Sequence, residues 1–115
     1  MSDQTITSLL NAAADLVAKP GAWTQGYVAR DKTGRIVEAD ARAARCWCGI
    51  GAVMRAAKAI KSDRAENLAC KALHQFAHGR GFPSFGKFND APERTQDEVV
   101  AALRKVAQSS EATHV

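Results

Sequence analysis

The chain predicts a mainly helical α+β domain of about four helices and one short β-hairpin, on three observations. Apolar residues recur at helical spacing in four separate stretches. One aromatic and β-branched stretch is followed by a turn sequence and a second short β-branched run. Capping and stopping residues punctuate the boundaries between them.

The first helix is expected from about Thr5 to Ala18, where Ile6, Leu9, Leu10, Ala13, Leu16 and Val17 share one face, and Lys19-Pro20-Gly21 ends it. Trp23 to Ala29 then reads as a strand, Asp31-Lys32-Thr33-Gly34 as a turn, and Arg35-Ile36-Val37 as the returning strand. Two strands alone are marginally stable, so this ribbon should lie against helices. A second helix from about Cys48 to Ile60 carries Ile50, Val53, Met54 and Ala57 on one stripe. Gly49 and Gly51 weaken its first turn but permit another backbone to approach closely. Ser62 or Asp63 caps a third helix that runs to about His78, with Ala65, Leu68, Ala69, Ala72, Leu73, Phe76 and Ala77 inward and Gly79 as its stop.

From Arg80 to Arg94 the chain reads as its longest loop. Phe82, Phe85 and Phe88 recur at three-residue intervals, yet Gly81, Pro83 and Gly86 argue against a helix, so the rings are expected to anchor the loop to the core. Thr95-Gln96-Asp97-Glu98 is a capping box, in which the threonine and glutamate satisfy each other's backbone amides. It opens a last helix with Val99, Val100, Leu103 and Val106 inward. With 46% hydrophobic and 24% charged residues, the 115-residue chain is expected to form one domain, ordered over about 5–108 with a frayed polar tail over 109–115.

Cys46, Cys48 and Cys70 cannot all pair within the chain, and Cys46 and Cys48 are too close in sequence for a comfortable mutual bridge, which predicts reduced thiols. The N-terminus lacks a signal-peptide pattern and no apolar run approaches a bilayer's span, so the expectation is a soluble cytoplasmic protein without membrane contact. Phosphate-loop and dinucleotide fingerprints are absent, against nucleotide enzymes of those types, and no cofactor is implied. The formal charge of +4 is unevenly placed: Arg42, Arg45, Arg55, Lys58, Lys61 and Arg64 face only Asp63 in their stretch, whereas Asp90, Glu93, Asp97 and Glu98 crowd the start of the last helix. A basic sector can meet nucleic acid or an acidic partner, or be an ordinary solvated surface. No helix-turn-helix pattern, RNA-recognition motif or zinc finger accompanies it.

Three blocks, Trp23-Thr24-Gln25-Gly26-Tyr27 with Ala29-Arg30-Asp31, Trp47-Cys48 with Gly51-Ala52, and Asn89-Asp90-Ala91-Pro92 with Arg94-Thr95 and Glu98-Val99, make the chain similar to a family of small uncharacterised bacterial and phage proteins. The likeness extends from the first helix to the last. The third block in that family usually starts with tryptophan; Phe88 stands there in this chain, keeping an aromatic wedge but no indole donor. The resemblance implies a shared fold and no established activity, since the family is one of unknown function.

The sharpest enzymatic reading makes Cys48 a nucleophile at a helix start, with His74 or His78 as base and Asn89 or Asp90 as orienting group, in a thiol-dependent hydrolase or transferase. A helix N-terminus favours thiolate, and the order Cys, His, Asn/Asp is similar to that of papain-like thiol hydrolases. Those enzymes, however, present their histidine from a sheet, and most free cysteines behave as small buried hydrophobes. Cys46, Cys48, His74 and His78 offer ligands for zinc; His-x3-His suits one helix face, but Cys-x-Cys is tighter than the roughly two to four residues that structural zinc sites leave between cysteines, and no metal is assigned. Trp23, Gln25, Tyr27, Trp47, Asn89 and Asp90 supply the aromatic area and orienting amides of a recognition patch. Their alternative is structural: the tryptophans are core and the Asn/Asp pair ties a loop, with Gln25 requiring a partner for a half-buried amide. The sequence thus favours a small binding or regulatory module that acts by contact with an unidentified protein, with the thiol enzyme and the basic-surface nucleic-acid binder as alternatives.

Overall fold

The stripe predicted for the first helix is buried as expected: Leu9, Leu10, Ala13 and Val17 are at most 3% exposed in a computed structural model that describes the backbone of residues 3–112 and side-chain surroundings over 4–109. The helix, α1 (Asp3–Ala18), is followed by two short strands, β1 (Ala29–Asp31) and β2 (Ala44–Trp47), then by α2 (Gly49–Ile60), α3 (Asp63–His78), α4 (Phe85–Asn89) and α5 (Gln96–Ala112). The described residues therefore form one mainly helical α+β globule with five helices. None of these helices is long and apolar enough to cross a membrane.

Helix α1 packs chiefly on α5 and secondarily on α2. Polar ties set the α1–α5 register: Arg104 reaches the Asn11 carbonyl at 3.2 Å and the Asp15 carboxylate at 2.5 Å. Gln96 Nε2 donates to the carbonyls of Val17 and Lys19, so the start of α5 satisfies acceptors that the end of α1 leaves open. The capping box forms as read, with Thr95 N donating to Glu98 Oε1 at 2.9 Å and Glu98 N to Thr95 Oγ1 at 3.2 Å. The polar tail read at 109–115 overlaps the end of α5, which runs to Ala112; residues 113–115 lie outside the described ones.

The ribbon differs from the expected one in its partner. The turn is where it was read, with Gly34 N bonded to Asp31 O, but Arg35 to Val37 adds only an isolated bridge, Arg30 to Ile36. The true partner of β1 is β2, antiparallel, pairing Ala29 with Trp47, Arg30 with Cys46 and Asp31 with Ala44. On its other side Trp47 is held by Ala22 O and Thr24 N, so of the stretch read as a strand over Trp23 to Ala29 only its end joins β1, and its start touches the ribbon at an isolated parallel bridge, Trp23 to Trp47. Burial explains the choice: Ala44 and Trp47 point into the core, whereas Ile36 is 54% exposed and brings little apolar surface to a pairing.

The second correction is α4, a one-turn helix inside the segment read as loop. Pro83 stands before its N-cap Ser84, where it removes no helical bond, and Ser84 Oγ accepts from Lys87 N at 3.1 Å. That turn brings Phe85 and Phe88 into stacking, centroids 5.2 Å apart, and sets Phe88 edge-on to Phe76 and Phe82. The rings anchor the segment, as expected.

Strand β2 runs straight into α2. Gly51 lies so close to the Val28 carbonyl that a Cβ would overlap it, and a Cβ on Gly49 would meet the Phe85 ring. The close backbone approach read from these glycines is thus present at Gly51, while Gly49 makes room for a ring.

Candidate functional site

Asn89 is the one polar residue with a fully buried side chain among the described residues, and it gathers the three sequence blocks at one point. Its Oδ1 accepts from Trp23 Nε1 at 2.9 Å and from Gly49 N at 3.0 Å; its Nδ2 donates to Thr24 O at 3.1 Å and to Asp90 Oδ1 at 3.0 Å. Asp90 Oδ1 also accepts from Gly26 N. Gln25 Nε2 donates to the carbonyls of Asn89 and Ala91, both at 3.0 Å, which answers the need of its amide for a partner. Trp47 is 6% exposed, with its indole N–H on Ala39 O at 2.8 Å. Of the residues read as a recognition patch, Tyr27 alone offers a broad free face, 52% exposed beside the Arg30 guanidinium. The others are engaged with one another and with backbone.

Cys48 sits at the N-cap of α2, as the sequence implied, but in a structural post. Its Sγ accepts from Gly51 N at 3.2 Å and it is 7% exposed. Burial pushes its thiol up, against the smaller opposing pull of the Gly51 and Ile50 amides. Desolvation wins over the helix start, which is the reverse of a primed nucleophile. Cys70 is pushed up to about 11, first by burial and then by the Glu66 carboxylate.

The two imidazoles are engaged elsewhere. His74 Nδ1 accepts from Phe85 N at 3.0 Å, which assigns the ring proton to Nε2, and His78 Nε2 donates to Pro83 O at 2.8 Å. Both pin the α3–α4 connection. Among the described residues no three His, Cys, Asp or Glu side chains gather where they could hold a metal, so Cys46, Cys48, His74 and His78 do not converge as a zinc set.

The basic sector is divided. Arg55 folds inward onto the Ala39 and Ala41 carbonyls and over the Trp47 ring, 5.5 Å from its centroid. Arg45 caps the carbonyls of Arg42 and Ala44. Lys58 stands 4.0 Å from Asp40, and Arg42, Lys61 and Arg64 are exposed. Two of the six, Arg55 and Arg45, thus bond carbonyls of the segment before β2.

A site the sequence reading missed lies where the end of α3, the segment through Phe82 and α4, and the face of α5 meet. An open groove of about 440 Å³ is lined by Phe76, Phe82 and Phe88, with Arg80, Arg94 and Lys105 around them. Its volume falls in the range of ligand sites. The Arg80 guanidinium stacks on Phe76 at 3.7 Å and that of Arg94 on Phe88 at 3.7 Å. Arg94 is fixed further by Nε donating to Phe88 O at 2.8 Å and by Glu98 at 3.5 Å. Arg80 and Lys105 have no carboxylate partner among the described residues. A stacked guanidinium covers one face with apolar surface and leaves its N–H edges outward, a good receptor for a planar anion. The available signal was two arginines, Arg80 and Arg94, bracketing a phenylalanine run, with Arg80 just past the end of the helix that carries Phe76. A second groove, between α1 and α2 beside Leu9 and Ile60, is of similar volume, but its lining of Gln4, Thr5 and Ser8 with alanines and aliphatics carries no charge or aromatic ring.

A family model described as a family of unknown function (DUF6197) matches residues 1–109. No curated protein and no solved structure matches the chain.

Proposed function

The chain belongs to that family of unknown function, and from this premise we propose that it is a small binding or regulatory module that works by contact with another protein, through the aromatic groove bordered by Arg80 and Arg94. The observation that carries the reading is the groove itself: three phenylalanine side chains with Arg80 and Lys105 beside them, two cations that no carboxylate among the described residues neutralises. Aromatic area with few rotors and arginine planes is what concentrates binding energy at protein contacts. The competing thiol reading is weakened by the same geometry, since Cys48 caps a helix beneath cover and both imidazoles hold backbone groups. Three free thiols support a reducing, cytoplasmic setting, and the bacterial or phage origin implied by the sequence resemblance belongs to the same proposal.

The test is a random-peptide library panned on the wild-type protein and on Ala101→Trp. Ala101 is exposed on α5 and lines the groove, so an indole there fills it without disturbing the core. Peptides enriched on the wild type should lose about ten-fold or more in affinity on the variant, about 1.4 kcal/mol. Equal binding to both proteins, or no enrichment, would overturn the proposal.

A further inference from the structure

We infer that the groove recognises an extended segment of a partner protein that places a carboxylate at Arg80 and Lys105 and an apolar side chain beside Phe82 and Pro92; this rests on the reading of the groove as the contact face. The groove is one half of a longer trough. A second depression of about 310 Å³, beside Pro92 and Glu93, shares Phe82, Arg94 and Glu98 with the first. A trough that passes on both sides of one fixed arginine suits a stretch of chain better than a lone ion.

Its two ends differ in charge. At one end Arg80 and Lys105 line the wall without an ion-pair partner among the described residues. Arg80 already has one guanidinium face on Phe76, so a carboxylate arriving at its edge meets donors held in plane, with little rotor freedom left to lose. At the other end Glu93 stands on the rim and Ala91 and Pro92 supply apolar surface, while Phe82 and Glu98, paired with Arg94, lie between the two halves. Arg94, between the two, has a side chain only 15% exposed and is already committed to the Phe88 carbonyl and Glu98, so it serves as a wall. A segment with its acid at the first end and its apolar residue at the second satisfies both. A polyphosphate strand does not, because its charges repeat along the whole trough and would pass the Glu93 and Glu98 carboxylates.

Fluorescence anisotropy with the full chain tests this, using a labelled peptide carrying Asp-Glu next to Leu-Phe, its Asn-Gln isostere, and a single-stranded oligonucleotide. The acidic peptide should bind wild type about ten-fold more tightly than the isostere, a difference that falls as salt rises. Arg80→Gln and Lys105→Gln, both at exposed positions, should each weaken the acidic peptide about five-fold and leave the isostere unchanged. Binding of either peptide should be lost in Ala101→Trp. Equal affinity for acidic peptide and isostere, both lost in Ala101→Trp, would overturn the charge inference and leave the contact face standing. Peptides that ignore Ala101→Trp would remove both. Oligonucleotide binding that exceeds the acidic peptide's and depends on Arg80 and Lys105 would replace the inference with polyphosphate recognition.

Discussion

Replacing Asn89 by alanine should be among the most damaging single changes this chain can suffer. The side chain is fully buried and satisfies donors and acceptors from three separate segments. Alanine leaves the buried Gly49 N–H without an acceptor, and strands the half-buried Trp23 indole N–H and Thr24 carbonyl, to which water has partial access. An unsatisfied buried group costs about 1–3 kcal/mol, and partial solvation discounts two of the three, which gives a loss of about 3–5 kcal/mol. Against a total stability of about 5–15 kcal/mol, that is a large share, and at ~4 °C per kcal/mol the melting temperature should fall by roughly 12–20 °C. Urea titration followed by far-ultraviolet circular dichroism reads it directly, with an unchanged m-value. Asn89→Asp refines the test. It keeps the acceptor for Trp23 and Gly49 but turns a donor into a carboxylate oxygen facing Thr24 O and Asp90. Burial and the neighbouring charge raise the new group's folded pKa, so its destabilisation is complete above that value and is relieved as pH falls through it toward the unfolded value. A cost below about 1 kcal/mol for Asn89→Ala, or no acid rescue of Asn89→Asp, would refute the view that this amide holds the fold together.

Other perturbations follow from the same geometry. Gly51→Ala forces the start of α2 away from the Val28 carbonyl, which also accepts from Cys48 N, and should cost about 3 kcal/mol in a chemical denaturation curve. Cys48 and Cys70 should alkylate slowly at pH 8 in the native protein and rapidly on unfolding, as read by mass spectrometry; fast native reaction at Cys48 would restore the nucleophile reading. Glu98 has its carboxyl held below the ordinary value by the Thr95 amide and hydroxyl. The stability it adds is present above the unfolded pKa and lost as pH falls through the folded one, so Glu98→Gln should flatten that acid limb of the stability profile.

The four longer helices were legible because each buries a stripe at helical period, and Lys19-Pro20-Gly21, Ser62, Gly79 and the Thr95 capping box mark boundaries among them. The ribbon was half legible. Asp31 to Gly34 announces its turn because the Asp31 carboxylate accepts from the Thr33 and Arg35 amides, which are local in sequence. Which strand pairs with β1 is a tertiary matter, decided by Trp47 and Ala44 burying against helices that no local pattern names. Helix α4 escaped because Pro83 and Gly86 read as breakers, whereas the proline lies outside the turn and the ring cluster outweighs the glycine. At the site, the sequence grouped Trp23, Gln25, Tyr27, Trp47, Asn89 and Asp90 as a recognition patch and asked a partner for the Gln25 amide; Trp23, Gln25, Asn89 and Asp90 do meet. What it could not tell is that they bond to one another and to backbone, leaving little for a partner. The groove was invisible for the complementary reason: Arg80, Phe82 and Arg94 come from ordinary connecting segments, and only packing sets their side chains along one wall.

This groove, rather than the Asn89 junction or the divided basic sector, is the face proposed to receive a partner. Backbone amide shift mapping with a library-selected peptide decides it. The prediction is a set of shifts centred on Phe76, Phe82, Phe88 and Ala101, with those at Tyr27 and Asp90 unmoved. Shifts centred instead on Tyr27 and Asp90, or on the stretch from Arg42 to Arg64, would contradict it.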